Sequence, residues 1–223
     1  MPEVLKKYDM RGKTIGQFCC NNGRELLSLV RTTGAKGGIG FDIAENMVAF
    51  ANGKAKELPI PCRFIAENIL DIGSEYDDTF DFVILTIGAL CWFKSLNDYF
   101  KVVCRTLKKG GVIIVNEQHP LSNMLAAESD EGYDANHPLD LKFSYFEHEW
   151  VGNDGMGYIT GKSYKSKTFT DYTHSLSEII SSMCKNGVVI TDMKEFDYDI
   201  SGNFDNLSGQ GIPLSLILEG RKD

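Results

Sequence analysis

A chain of 223 residues, 43% hydrophobic and 24% charged, is long enough for one domain with a sizeable core and an inserted cap. Its 23 basic against 31 acidic residues give a net charge of −8, which argues against a broad nucleic-acid-binding face. No apolar run approaches the roughly 20 residues of a membrane helix. Residues 1–7 lack a signal-peptide core, and the cysteines at 19, 20, 62, 91, 104 and 184 lack metal-ligand spacing, so the expectation is a cytoplasmic protein with reduced thiols and no metal.

Residues 1–12 read as a polar lead-in or a frayed helix. Residues 15–20 are apolar enough for a buried strand. A helix follows, capped by Asn21 or Asn22, with Leu26, Leu27, Leu29 and Val30 on its core face and Gly34 at its end. Strand two spans residues 38–42, and a helix over 44–56 offers Met47, Val48 and Phe50 for packing. Strand three covers 61–65, and residues 80–86 are the clearest buried strand. Residues 96–107 are amphipathic, and Lys108-Lys109-Gly110-Gly111 reads as a helix end with basic residues in its last turn. Strand five spans 112–116.

The regular alternation breaks at His119-Pro120. From there to about residue 168 the chain carries Tyr133, Phe143, Tyr145, Phe146, Trp150, Tyr158 and Tyr164, too many aromatics for a disordered linker. The reading is a cap, partly hairpin, inserted into a single domain of residues 1–223. Residues 175–185 form a helix whose start, Ser175-Leu176-Ser177-Glu178, has capping-box spacing, and Asn186-Gly187 ends it. Residues 188–198 and 213–218 are the last two strands, an antiparallel pair at the sheet edge.

The turn after strand one and the acid ending strand two lie where an open parallel sheet binds ligands. Of the three glycines of a GxGxG turn only Gly23 remains; Cys19 and Asn21 fill the other places. Asn tolerates a left-handed backbone, whereas Cys19 is expected to keep strand-like angles. On this motif alone, the signal for a ligand is weak and a strand-to-helix connection without ligand is the plainer reading. Asp42 falls 19 residues after Gly23 and can accept both ribose hydroxyls of an adenosine, cap the helix starting near Ala44, or do both.

The blocks Cys20-Asn21-Asn22-Gly23-Arg24-Glu25, Gly40-Phe41-Asp42-Ile43-Ala44-Glu45-Asn46-Met47, Phe80-Asp81-Phe82-Val83, Leu107-Lys108-Lys109-Gly110-Gly111 and Glu117-Gln118-His119-Pro120 occur in an order and spacing that resembles class I S-adenosylmethionine-dependent methyltransferases. The likeness is to a bacterial small-molecule branch with a CNNGRE-type first turn. It implies an α/β, Rossmann-like, seven-stranded, mostly parallel sheet in the order 3-2-1-4-5-7-6, with the aromatic-rich cap after strand five. It also implies S-adenosyl-L-methionine as cofactor. Backbone of Phe18, Cys19, Cys20, Asn21 and Asn22, with Gly23, would hold the methionine part. Asp42 would take the ribose, and Ile43 and Met47 would pack on ribose or adenine. Asn68, beside Glu67 and Ile69, matches the position near the adenine amine; Thr86, Ile87 and Gly88 would floor the pocket. Gln17 stands where most of the superfamily has an acid that helps bind the methionine amino group.

With an activated methyl on the cofactor, alignment supplies much of the acceleration and a base is optional. His119, just past strand five, is the candidate base, against the alternative of a structural histidine at a turn. Glu117 would orient His119 or bind the cofactor amino group; Trp92, Glu117 and His174 are the candidate substrate-pocket residues. The expected function is methyl transfer to a small-molecule acceptor by a monomer or homodimer. The competing readings are a degenerate cofactor-binding regulatory module and a nicotinamide oxidoreductase, and the missing GxGxxG speaks against the latter.

Overall fold

The computed structural model describes residues 2–130, 132–146, 148–154 and 165–223. Its elements in chain order are α1 (Pro2–Leu5), β1 (Thr14–Phe18), α2 (Arg24–Thr33), β2 (Gly37–Asp42), α3 (Glu45–Glu57), β3 (Cys62–Ala66), β4 (Phe80–Leu85), α4 (Leu96–Thr106), β5 (Leu107–Gln118), β6 (His148–Asp154), β7 (Lys165–Thr173), α5 (Leu176–Lys185), β8 (Val188–Phe196) and β9 (Ser215–Lys222). Seven strands form one sheet in the order β3-β2-β1-β4-β5-β9-β8, while β6 and β7 pair apart from it as a two-stranded ribbon. Strands β1 to β5 run parallel, and β9 runs antiparallel to both β5 and β8. Setting the ribbon aside, this is the expected order 3-2-1-4-5-7-6. Strand β9 lies inside the sheet and β8 forms its edge.

The continuous apolar runs of the central strands follow from burial on both faces. Along β5, Ile113 and Val115 pack with Phe18, Phe41, Tyr99, Phe100, Ile179 and Met183 beneath α4 and α5. Val112 and Ile114 turn to the opposite face, with Leu26, Val30, Val48 and Ala51 of α2 and α3. The four predicted α2 residues, Leu26, Leu27, Leu29 and Val30, are all buried, each contributing about 1.5–3 kcal/mol. Helix α2 ends at Gly34 in a left-handed conformation, φ 69°, which a residue with a Cβ adopts only under strain. Val4 and Met10 of the lead-in join this second face, so residues 2–12 cover the sheet here.

Three local expectations are corrected. Helix α4 stops at Thr106, and Lys108 and Lys109 belong to β5. The ladder steps from Phe80↔Leu107 to Phe82↔Val112, so the intervening residues bulge, and Lys108 Nζ donates to Asp81 on β4 at 2.9 Å. Lys108 thus answers a neighbouring strand's carboxylate rather than a helix end. Phe50 is 53% exposed, because the buried face of α3 is Val48, Ala51 and Ala55; the Lys54 ammonium lies 5.7 Å from the Phe50 ring centroid. Strand β1 ends at Phe18, two residues short of the expected end, where the backbone turns left-handed.

After β5 a 3₁₀ turn spans Pro120–Met124, and Leu125 and Ala127 pack with Phe204, Leu207 and Leu214 in a small separate core. The ribbon runs from His148↔Thr173 to Asp154↔Lys165. Two residues of the expected cap, Tyr158 and Tyr164, lie outside the described residues. Among the described residues no helix is long and apolar enough to cross a membrane.

Candidate functional site

The turn after β1 is pinned at two points: Cys20 N–H donates to Phe41 O at 3.0 Å, and Gly23 N–H donates to Cys20 O at 2.9 Å. On either side of Cys20, Cys19 (φ 57°) and Asn21 (φ 49°) are both left-handed. Asn21 was expected to be so. Cys19 was not: the tight turn forces it out of strand-like angles at a cost of about 1–2 kcal/mol. Gly23, also left-handed, is the helix N-cap, and no side chain caps at that position. The asparagines serve the turn locally instead: Asn21 Oδ1 accepts from Asn22 N–H at 2.6 Å and Asn22 Oδ1 from Arg24 N–H at 3.2 Å. A Cβ on Gly23 would lie 2.6 Å from the Phe64 ring, so the close approach of α2 to β3 requires glycine there.

Asp42 ends β2 against this turn. Its Oδ2 accepts from Asn21 N–H at 2.7 Å and its Oδ1 from Ala44 N–H at 2.9 Å. The next residue, Ile43, is 72% exposed, and Met47 is half-buried. Asn68 follows β3; its Oδ1 accepts from Leu70 N–H at 3.2 Å and its Nδ2 donates to Asp71 at 3.0 Å. Glu67 N–H donates to Asp42 O at 2.9 Å, tying the two strand ends together, while the Ile69 side chain is buried in the core.

Gln17, on β1, is buried, and its Nε2 donates to Thr86 Oγ1 just past β4 at 3.2 Å. Its Oε1 is buried without a partner among the described residues. Beyond Thr86 and Ile87, Gly88 is left-handed (φ 81°), and a Cβ built on it would meet nothing within 4 Å.

Glu117, at the end of β5, does not touch His119. Its carboxylate accepts from the backbone N–H groups of Gly88 at 2.9 and 3.1 Å, Ala89 at 3.2 Å and Gln118 at 3.0 Å, and Leu90 N–H lies at the long limit of 3.5 Å. Burial raises its pKa above the ordinary carboxylate value, against the opposing pull of these N–H groups. The expected role of orienting His119 is therefore corrected.

His119 is 5% exposed and both ring nitrogens are engaged. Nδ1 accepts from Leu121 N–H at 3.1 Å, capping the 3₁₀ turn, and Nε2 lies 2.9 Å from Glu195 on β8. This fixes the neutral tautomer with Nε2–H donating to the carboxylate, and burial lowers the ring's pKa. With both nitrogens engaged the ring has no free acceptor in this arrangement, which is the geometry of the alternative reading, a structural histidine at a turn. His174 is similarly committed: Nε2 donates to Phe93 O at 2.9 Å, and Nδ1 lies 3.1 Å from Glu178. In this arrangement it ties the start of α5 to the segment before α4.

Trp92 is 42% exposed and meets Phe169 of β7 edge-on at 5.6 Å, joining the ribbon to the loop after β4. Burial raises the thiol pKa of Cys19, Cys20 and Cys91, keeping them protonated and poor nucleophiles. Two further polar atoms, the Tyr99 hydroxyl and Thr173 Oγ1, are buried without partners among the described residues. Sequence reasoning did not single out these two, nor Glu195. Glu195 lies 76 positions from His119, and no local pattern joins them.

The residues gathered here fit S-adenosylmethionine. The buried unpartnered Gln17 Oε1 is an acceptor awaiting a donor such as an ammonium, the Gly88 surface is open, and Asp42 offers acceptors beside an exposed apolar Ile43. Among the described residues no group of three His, Cys, Asp or Glu side chains is placed to hold a metal.

A seven-stranded sheet in this order, with its penultimate strand in space antiparallel and a glycine-bearing turn opposite a β2 acid, defines the class I methyltransferase architecture. A family model described as "Methyltransferase domain" matches residues 12–148, and the chain belongs to that family, as a class I S-adenosylmethionine-dependent methyltransferase domain. No curated protein sequence matches the chain. Among solved structures, a Listeria monocytogenes protein assigned as an S-adenosylmethionine dependent methyltransferase is similar at 23% identity and a TM-score of 0.69, covering 99% of this chain and 97% of that one. An S-adenosylmethionine dependent methyltransferase from Mesorhizobium loti aligns at 18% identity and a TM-score of 0.70, over 99% and 96%. Geranyl diphosphate C-methyltransferase from Streptomyces coelicolor, solved with Mg2+, geranyl diphosphate and S-adenosyl-L-homocysteine, aligns at 14% identity and a TM-score of 0.65, over 99% and 79%. At these identities the structural likenesses speak for the fold.

Proposed function

We propose that this single domain, with the ribbon as part of a cap, transfers a methyl group from S-adenosylmethionine to a small-molecule acceptor. The cofactor supplies an electrophilic methyl on a sulfonium when bound. The rest is alignment and exclusion of water by the chain's own residues. The observation that carries the reading is the buried Gln17 Oε1, an unpartnered acceptor between the left-handed turn and Thr86. It suits the amino group of the methionine part, which the turn backbone from Phe18 to Gly23 would cradle. Asp42 would accept from the ribose with the lone pairs its two N–H donors leave free, and Ile43 and Met47 would pack on the adenine. Asn68 and Glu67 border that end, with Ile69 beneath them. Thr86, Ile87 and Gly88 floor the pocket, and Trp92 with Phe169 walls the acceptor side.

With His119 and His174 both engaged, transfer here relies on positioning rather than on a histidine base. Two observations favour a small acceptor over a polyanion: the net charge of −8 and the aromatic wall at Trp92. The geranyl diphosphate enzyme shows that this fold hosts a small-molecule acceptor.

The test is calorimetric titration with S-adenosylmethionine, S-adenosylhomocysteine and NADH, followed by labelled-methyl transfer across an acceptor panel. Saturable binding of the first two and transfer to a small molecule are expected. NADH binding without S-adenosylhomocysteine binding overturns the reading, and cofactor binding without transfer across a broad panel points to a regulatory module.

A further inference from the structure

The loop from Thr86 to Phe93 has two sides. One side meets the first turn: Thr86 Oγ1 accepts from Gln17 Nε2 at 3.2 Å, and the Cys19 thiol points to Ala89 O with Sγ at 3.9 Å. The other side is held by a single buried carboxylate. Glu117 is 8% exposed, and both of its oxygens accept from loop amides: Oε1 from Gly88, and Oε2 from Gly88 and Ala89, with Leu90 at the long limit. Three consecutive N–H groups converging on one side chain form an anion-binding concavity, here filled by the chain's own carboxylate. A left-handed Gly88 bends the backbone so that these groups point inward.

We propose that Glu117 is a positioning residue: by binding the amides of Gly88, Ala89 and Leu90 it holds the loop after β4 in the shape that floors the cofactor pocket. The inference rests on the reading of this site as a cofactor pocket. Two features separate this role from general fold maintenance. Apart from Gln118 N–H at the end of β5, the bonds go to a loop, and that loop is what connects Glu117 to Gln17 and Cys19. Moreover, a glutamine turned one way strands the Ala89 and Leu90 N–H groups, and turned the other way strands only that of Gln118, so the loop is released in every orientation only when both oxygens are removed.

The variant Glu117→Met, which removes both oxygens and keeps the length of the side chain, tests this with three readouts: backbone hydrogen exchange, S-adenosylhomocysteine affinity by calorimetry, and thermal unfolding. In the unsubstituted protein the amides of residues 88–90 are expected to exchange slowly before any ligand is added. In Glu117→Met they are expected to exchange fast while residues 112–116 of β5 stay protected, with affinity about ten- to a hundredfold weaker. Fast exchange at 88–90 in the ligand-free unsubstituted protein overturns the proposal. So does unchanged protection in the variant, or unchanged affinity despite lost protection. Loss of the cooperative unfolding transition would make Glu117 a determinant of the whole fold, and also overturns the local role. If the unsubstituted protein fails to bind S-adenosylhomocysteine, the functional reading fails instead, and the exchange pattern still decides whether Glu117 holds the loop.

Discussion

Asp42 ties the end of β2 to the turn after β1: its Oδ2 accepts from Asn21 N–H at 2.7 Å while its Oδ1 accepts from Ala44 N–H at 2.9 Å. One carboxylate thus fixes the left-handed Asn21 and the start of α3 together, with lone pairs left over for the ribose under the proposed function. Asp42→Asn makes one of the two positions a donor facing a backbone N–H, so it disturbs the turn and the ligand contact at once. The expected result is an S-adenosylhomocysteine affinity lower by about ten- to a hundredfold, read by calorimetry. Unaltered affinity would remove Asp42 from the site.

Cys19 is held at φ 57° without the freedom of glycine. Replacing it by Ala or by Gly removes the same thiol but leaves different backbones. Cys19→Gly should therefore be more stable than Cys19→Ala by about 1 kcal/mol in urea unfolding, although glycine lowers stability where the backbone is unstrained. Equal stability of the two variants would show that the turn relaxes around a Cβ.

His119 gives a pH signature of structural use. Burial depresses its pKa in the folded chain below the ordinary 6.5. Between the two values the unfolded chain binds the extra proton, so the stability it contributes is present above about pH 6.5 and is lost as pH falls towards the folded value. His119→Asn keeps an acceptor for Leu121 N–H but removes the titration. The difference in urea midpoint between parent and variant should shrink as pH drops from 7.5 to 5. Once an acceptor is in hand, the variant should retain turnover within a few-fold, whereas loss of a true base costs about 10²–10⁴.

Much of the fold was legible because its strands are short, apolar on both faces and punctuated by glycine, and because α2 shows its buried stripe as Leu26, Leu27, Leu29 and Val30. The sheet order itself came from the family likeness rather than from periodicity. What escaped the sequence depends on partners distant in the chain. Lys108 looks like a helix end until Asp81 is placed beside it, and His119 looks like a base until Glu195 arrives from β8. Glu117 looks like a pocket acid until the Gly88–Leu90 amides, nearly thirty positions back, close on it. Phe50 falls off the core face by helix geometry, with apolar character no different from its buried neighbours. At the two histidines residue type reports what a side chain can do, while tertiary contacts decide whether its lone pairs are free.

The lead-in is predicted to matter for stability and not for cofactor binding. Glu219 on β9 is 2% exposed, and its carboxylate accepts from Lys7 Nζ and, at 2.6 Å, from the Tyr8 hydroxyl. The Tyr8 ring also meets Phe82 edge-on at 5.7 Å. Tyr8→Phe keeps the ring and removes only the hydroxyl, leaving one Glu219 oxygen without this donor. The expected loss is about 1–3 kcal/mol, or roughly 2–4 °C in Tm per kcal/mol for a chain of this size. Burial, reinforced by the Glu219 carboxylate, pushes the Tyr8 pKa up to about 12 from its ordinary 10. The folded chain therefore keeps a proton that the unfolded chain releases, so this contribution is full below pH 10 and is lost as pH rises towards 12. The parent should lose stability over that window faster than Tyr8→Phe, with S-adenosylhomocysteine affinity at pH 7.5 the same in both. A weaker affinity in Tyr8→Phe would instead couple the lead-in to the cofactor site across the sheet.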